Sequence, residues 1–420
     1  MHRHMSSATN SKSSTASDSW EAALEAEVDA LSGKLIEMRR HLHAHPEVSG
    51  EEQETSQFLY DRLDRDGFQV RIGPHGCGVL VDPPAGFDIQ AAKGRVALRA
   101  DIDALRIQDE KSVPYRSRHD GVMHACGHDV HTSVLYGALS ALRRLAETQM
   151  LPWPINFRGI FQPAEETIAG AADMIEAGAL EDVDSIFATH VDPSREVGRI
   201  GLREGVLTAN SEAMRIRIIG RGGHAARPHE AIDPIAVAAQ LINSIYLFVP
   251  RATDSQDAVV VTIGQLLGGD NPNVIPEQIE LLGTLRSLRG RVRSQTMRHI
   301  EQLCHGVSEA SGARIEVSFE KGTGSVKNDP RLIRLLRRAV EVVIDGESVD
   351  EIHRPSMGSE DFAAYLEHVP GAMIRLGATT PGTAPTPLHT PTFDVDERAI
   401  AIGAKLLAHA VVLWSEPEAN

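Results

Sequence analysis

The sequence predicts an α/β protein in which a larger domain is interrupted by a smaller one of β-α-β-β-α-β order. Three observations carry this reading. At 420 residues the chain exceeds what one ordinary compact core holds. β-rich runs alternate with helical patterns up to about residue 191 and again after 323, as expected of a sheet covered by helices on both faces. Between about Gly205 and Gly322 the alternation gives way to a ferredoxin-like order, which packs two helices on one face of four strands and is able to fold alone. The expected divisions are a flexible tail (1–19), a first part of the large domain (20–205), the insertion (206–322) and a second part (323–420).

Each element follows from local pattern. Met1 to Ser19 is rich in Ser, Thr and Ala and has no apolar signal region, so it reads as a tail. Leu24, Val28, Leu31, Leu35, Met38 and Leu42 recur at steps of four and three, giving one apolar helical stripe. A second helix runs from about Glu51 and stops at Gly67. Strands are expected at Phe68–Ile72, Val79–Val81, Val96–Ala100, Ile155–Phe161 and Ile186–Val191, with helices from Val130 to about Leu145 and near Ala171–Ala179. In the insertion, strand Ala213–Ile219 precedes a helix opened by Asp233-Pro234 and reaching about Val249. Strands Val259–Leu266 and Ile279–Leu285, a helix from about Val292 to Glu309, and strand Arg314–Phe319 complete it. A helix from Asp329, strand Met373–Leu376 and a closing helix after Asp396 return to the large domain.

Composition narrows the function. Hydrophobic residues at 42% and charged ones at 24% are those of a soluble globular protein. No apolar run approaches the roughly 20 residues of a membrane span, so no membrane partner is expected. A net charge of −16 argues against nucleic acid as a partner. Cys77, Cys126 and Cys304 form an odd, sparse set that suits a reducing cytoplasm, and Cys77 and Cys304 read as small core residues.

Chemistry concentrates in four places. His124-Ala-Cys126-Gly-His128-Asp129-Val-His131 puts a thiol and an imidazole two residues apart just before a helix, a donor pair for Zn or a similar ion rather than Mg or Ca; a hydrogen-bonded surface turn is the alternative. Glu165 and Glu166 follow a strand. Adjacent residues point different ways, so one can ligate metal while the other moves a proton; a solvated pair favoured by a helix start is the alternative. His190 near a strand end and His389 in a Pro-rich loop are potential ligands or ordinary core and surface histidines. No Gly-x-Ser-x-Gly elbow suggests a serine nucleophile.

Taken together, these segments resemble the M20 metallopeptidase clan, and within it the branch of hippurate hydrolases, N-acyl-amino-acid amidohydrolases and auxin-conjugate hydrolases. The resemblance spans about Leu35 to Ala410. It rests on Arg39-Arg-His-Leu-His43-Ala-His-Pro46-Glu47, Arg99-Ala-Asp101-Ile-Asp103, Met123-His-Ala-Cys-Gly-His-Asp129 and Gln162-Pro-Ala-Glu-Glu166. Gly222-Gly-His224-Ala-Ala-Arg-Pro-His229, Asn273-Val-Ile-Pro276, Gly283-Thr-Leu-Arg286, Met357-Gly-Ser-Glu-Asp-Phe362 and Leu388-His389 complete the set.

The resemblance implies an amidohydrolase with two divalent ions per subunit (Zn, Mn, Co or Ni). Cys126, His128, Glu166, His190 and His389 would hold them, Glu165 would be the base, and Asp103 would orient a ligand or water. It implies that His224, Asn273, Arg286 and Gly358 meet the substrate, an N-acyl or aryl-acyl amino acid, that the insertion serves as lid and dimerisation domain, and that the protein is a homodimer or higher homo-oligomer. A dipeptidase of the same clan and an inactive metal-binding protein are the rivals. Arg106, where a proline is usual, and Ala188-Thr189 before His190 depart from the pattern and bear on the shape of the pocket.

Overall fold

The computed structural model describes residues 19–89 and 91–417. The expected tail lies outside them except for Ser19, whose hydroxyl accepts from the Ala22 amide (3.2 Å) and caps the first helix. The first part of the chain forms α1 (Trp20–Ala44), α2 (Gln53–Arg65), β1 (Gln69–Ile72), β2 (Val79–Asp82), β3 (Arg95–Asp101), α3 (His128–Glu147), β4 (Phe157–Gln162), α4 (Gly170–Glu176), β5 (Val183–Glu196), β6 (Ile200–Leu202) and β7 (Gly205–Val206). The middle forms β8 (Asn210–Ile219), β9 (Gly223–His224), α5 (Pro234–Ala252), β10 (Val259–Leu267), β11 (Val274–Ile275), β12 (Gln278–Ser287), α6 (Gly290–Ser311) and β13 (Arg314–Lys321). The remainder forms β14 (Lys327–Asn328), α7 (Pro330–Val343), β15 (Val349–Glu351), β16 (Gly371–Thr379) and α8 (Arg398–Trp414).

Eight strands make the main sheet, in the order β1-β2-β4-β3-β5-β16-β6-β15, and its centre, β4-β3-β5-β16, is parallel. The apolar stripe of α1 (Leu24, Val28, Leu35, Met38, Leu42) is buried with α3, α7 and α8 in one core. Ala171 and Met174 of α4 share a second core with Phe362 and Tyr365 of the short 3-10 helix Asp361–Glu367. β8, β10, β12 and β13 form a separate antiparallel sheet, order β10-β12-β8-β13, whose own core includes Val237, Leu241 and Ile245 of α5 and Ile300 and Cys304 of α6.

Three expectations need correction. The strand expected at Ile186–Val191 extends to Glu196, because the ladder with β16 continues past the apolar run, pairing Asp192 with Gly377 and Glu196 with Thr379. β6 and β15, three residues each, are too short to leave a periodic signal. Finally, α5 is long and apolar enough, by length and composition, to cross a membrane, against the expectation that no run approaches that length. Its apolarity has another origin. One side packs into the core of the second sheet, and Ile235, Tyr246, Leu247 and Phe248 remain exposed on the helix.

His409 of α8 yields a prediction about stability. It is buried against Trp20, ring centroids 5.0 Å apart, with no hydrogen-bond partner on either ring nitrogen among the described residues. Burial, then Lys405, pushes its pKa from 6.5 down to about 4. Above the ordinary value both folded and unfolded chains carry a neutral ring. Between 6.5 and about 4 the unfolded chain takes up a proton that the folded one refuses, so stability falls with pH. The full effect is on the order of 3 kcal/mol. In His409→Leu, the urea midpoint should drop less between about pH 7 and pH 4.5 than in wild type; parallel curves would exclude this origin.

Candidate metal centre

The site lies at the carboxyl ends of the parallel strands, where β3, β4 and β5 hand the chain to loops. β3 ends at Asp101, with Asp103 just beyond; β4 is followed by Glu165 and Glu166; His190 lies within β5. Two backbone features aim these groups. Gly127 has φ +91°, and a Cβ there would come within 2.4 Å of Val191 Cγ2, so only glycine lets Cys126 and His128 turn toward the same point. Ala164 has φ +52°, unusual for a residue with a side chain, and its amide donates to Glu52 Oε1 at 2.8 Å. His389 also has positive φ (60°) and is tied by its amide to the Ala125 carbonyl at 2.8 Å. His128 is the first residue of α3, not part of a preceding loop as expected, because the helix starts two residues earlier than its apolar pattern.

Cys126, His128 and His190 form one buried group able to hold a metal ion, and Cys126, Glu166 and His389 form another, the ligand atoms within each lying no more than 4.8 Å apart. Cys126 belongs to both. Its Sγ is 3.5 Å from His190 Nε2, and His389 Nε2 is 3.2 Å from Glu166 Oε1.

The hydrogen bonds sort ligands from bystanders. His128 Nδ1 lies 2.9 Å from the Asp103 carbonyl oxygen, which can only accept, so Nδ1 carries the proton and Nε2 keeps a free lone pair for a metal. Among the described residues that buried Nε2 has no hydrogen-bond partner, Asp101 Oδ2 standing 3.7 Å away. His190 Nδ1 likewise donates to the Val191 carbonyl (2.7 Å), leaving Nε2 toward Cys126. His131 stands in a third cluster with Asp101 and His128, but both its nitrogens are used: Nδ1 meets Asp101 Oδ1 at 2.6 Å and Nε2 accepts from the Val191 amide at 2.9 Å. It is a support for the site.

Electrostatics agree with a cation at this point. Burial pushes the Cys126 thiol up, so a thiolate here needs positive charge beside it. Burial would lower His128, but Asp101, Cys126 and Asp103 outweigh it and hold the ring well above its usual value. The surroundings therefore favour positive charge at the imidazole, whether brought by a proton or by a metal that displaces it. The residues present fit a soft divalent ion. Glu165 is pushed well above the carboxylate range by burial, then by Glu360 and Asp361.

A buried arginine organises the layer behind. Arg99 donates to Gln162 Oε1 (2.9 Å), Asp101 Oδ2 (2.7 Å) and Asp361 Oδ1 (2.8 Å), and lies 3.1 Å from Glu360. Burial pushes Asp361 up to about 7 despite that guanidinium. Asp103 Oδ2 accepts from Ser49 Oγ (2.7 Å) and from the Glu166 amide (3.0 Å), so one carboxylate steadies both His128 and Glu166. Arg99 and Asp101 stand in a motif singled out from sequence, and their alternation along a strand puts both on one face. Glu360 and Asp361 also stand in a motif singled out from sequence, Met357–Phe362, but their meeting with Arg99 comes only through the fold.

A cleft of about 640 Å³ opens over Cys126, Glu165, Glu166, His190 and His389, and Gly358 also lines it. His224 and Asn273 do not. His224 is exposed on the β9–β11 ladder, opposite Val274, and Asn273 is exposed in the turn just before β11. Arg286 is tied to the loop around Gly358, donating to the Met357 carbonyl (3.1 Å) and Ser359 Oγ (3.4 Å). Arg106 is exposed and pairs with Glu51, and Ala188 and Thr189 are buried in β5; none of the three lines the cleft.

The family model described as Peptidase family M20/M25/M40 matches residues 97–412. A hydrolase of Synechocystis sp. is 41% identical over 90% of this chain and 94% of its own. An N-acetyl-L-cysteine deacetylase of Bacillus subtilis is 38% identical over 89% of this chain and 86% of its own. The crystal structure of a dinuclear metal-binding peptidase of the M20 family, also from Bacillus subtilis, superposes with TM-score 0.77 at 33% identity, covering 92% of this chain and 99% of that one.

Proposed function

Because the chain belongs to peptidase family M20/M25/M40 and is a metal-dependent hydrolase of amide bonds, we propose that it cleaves N-acyl or aryl-acyl amino acids to a carboxylic acid and a free amino acid. The observation that carries this reading is the pair of ligand groups sharing Cys126, with the buried Glu165 in the same cleft. Cys126, His128 and His190 would hold one divalent ion (Zn, Mn, Co or Ni), and Cys126, Glu166 and His389 the other. When bound, the ions lower the pKa of a water and polarise the amide carbonyl. Glu165 takes the proton from that water and passes it to the leaving nitrogen, with no covalent intermediate. Its surroundings, which favour the protonated carboxyl, help it keep the proton between the two steps. The relative named as an N-acetyl-L-cysteine deacetylase supports an acyl amino acid as substrate.

The reading extends to a homodimer, with residues 206–322 as lid and dimerisation domain. β10 is an edge strand with exposed Val260, Leu266 and Leu267, and the outer face of α5 is apolar, together a surface that a second copy would cover. His224, exposed and outside its own cleft, would then serve the partner's. A cytoplasmic location belongs to the same reading, the three cysteines being free and buried.

A panel of hippurate, N-acetyl amino acids and free dipeptides, offered to protein reconstituted with each metal, tests the substrate class. Cleavage of the acylated compounds is expected; cleavage of free dipeptides alone would overturn it. The shared site has its own test, mixing inactive His224→Ala and Glu165→Gln proteins under conditions of subunit exchange. Half the dimers are then mixed and each has one intact site of two, so about one quarter of wild-type activity should return. Exchange without recovery would rule out service in trans.

A further inference from the structure

We propose that Arg375 binds the free carboxylate of the substrate and makes the protein selective for acyl amino acids over their neutral analogues. This rests on the amidohydrolase reading and deepens it. β16 is apolar at this point: Ala372, Met373, Ile374 and Leu376 are all fully buried, and Arg375 between them is half-buried and lines the cleft. A guanidinium in the middle of a sheet normally has an acidic partner, since burying it alone is costly. The more deeply buried arginines obey that rule, Arg39 on Asp129 (2.8 Å), Arg99 on Asp101 (2.7 Å) and Arg158 on Asp82 (2.8 Å). Arg195, on the same wall of the cleft, is paired with Asp192. The Arg375 guanidinium, among the described residues, has no hydrogen bond or ion pair, nor has that of the exposed Arg354 at the cleft rim.

Position adds to the case. In the parallel ladder Arg375 is the register partner of His190, so the two stand side by side on adjacent strands, roughly 5 Å apart at the backbone. The carboxylate of an N-acyl amino acid lies only two bonds from the amide nitrogen, so its anchor must sit beside the metal ligands, as Arg375 does. Gly201 on β6 keeps the space clear, because a Cβ there would fall 3.0 Å from Arg375 Cβ and 2.9 Å from Arg195 Nε. Arg286, the arginine expected to meet the substrate, is hydrogen-bonded to the 357–359 loop instead. A planar guanidinium can grip a carboxylate through two parallel N–H···O bonds, which an amide of the same shape cannot return.

The test compares an N-acetyl amino acid with its carboxamide in wild type, Arg375→Ala and Arg375→Lys, with metal content measured in each. Wild type should prefer the acid. Arg375→Ala should lose roughly 10- to 100-fold in kcat/KM for the acid, chiefly through KM, and much less for the carboxamide, so that the acid-to-amide ratio collapses, with Lys restoring part. The same acid-to-amide ratio in wild type and Arg375→Ala would overturn the assignment. Hippurate is also titrated calorimetrically into Glu165→Gln and into Glu165→Gln/Arg375→Ala. Binding that weakens in the double variant upholds the assignment; equal binding, or none to either protein, overturns it. If wild type cleaves neither compound, the amidohydrolase reading falls on its own and the titration still judges Arg375.

Discussion

Glu165→Gln should lower kcat by roughly 10³- to 10⁴-fold while the protein keeps its metal and its fold. The amide is nearly isosteric and retains an oxygen to accept the Asp361 amide (3.4 Å), but it cannot take a proton from water. Replacing the carboxylate also relieves the repulsion from Glu360 and Asp361, so thermal stability should stay level or rise. Metal content by mass spectrometry, KM, and unfolding temperature are the three readouts. A variant that purifies without metal would mean that Glu165 is a ligand and that the roles of the two glutamates are misassigned; substantial residual turnover would remove it from proton transfer.

Cys126→Ala should weaken both ions at once, because its sulfur is the one group common to the two clusters. The loss in affinity should exceed the roughly 10- to 100-fold that removing a supporting residue costs. His389→Ala, which touches only one cluster, should release one ion and spare the other. Equilibrium dialysis against a chelator series, read as ions retained per subunit, distinguishes these outcomes. Unchanged metal affinity in Cys126→Ala would exclude the thiolate as a ligand. Oxidation of Cys126 to a sulfinate should mimic the alanine variant, since the oxidised sulfur is a poor soft ligand.

Much of the architecture was legible because it is written in local periodicity. The α1 stripe, the apolar cores of β3 and β4, and Asp233-Pro234 opening α5 are each decided by neighbours within a few residues, and Asp233 caps the Ile235 amide as that dipeptide implies. The Cys-Gly-His and Glu-Glu segments were visible for the same reason. What stayed hidden depends on contacts distant in sequence. β6 exists only because β16 offers an edge to pair with, and β15 only because β6 extends that edge. Glu360 gains its meaning from Arg99, which nothing near Glu360 announces. Arg375 is an intermediate case. A single arginine in the run Ala-Met-Ile-Arg-Leu-Gly is a local anomaly, readable as a buried charge wanting a partner, but its nearness to His190 comes from the strand order.

The Arg99 cluster has a consequence for how the protein is made. Its guanidinium meets the Asp361 carboxylate across 262 positions of chain, and Arg39 meets Glu397 across 358. At a ribosomal pace of roughly 5–20 residues per second, Arg99 has Asp101 beside it at once but waits on the order of half a minute for Glu360 and Asp361 to emerge. Strands β8 to β13, by contrast, pair only among themselves and can close while the rest is still being synthesised. The nascent chain therefore holds two half-completed ion clusters, Arg99 with Asp101 alone and Arg39 with Asp129 alone, and a main sheet that still lacks β16. Premature termination after β13 would leave the main sheet without β15 and β16, and the bare edge of β5 open to pairing with other chains, a natural client for chaperones.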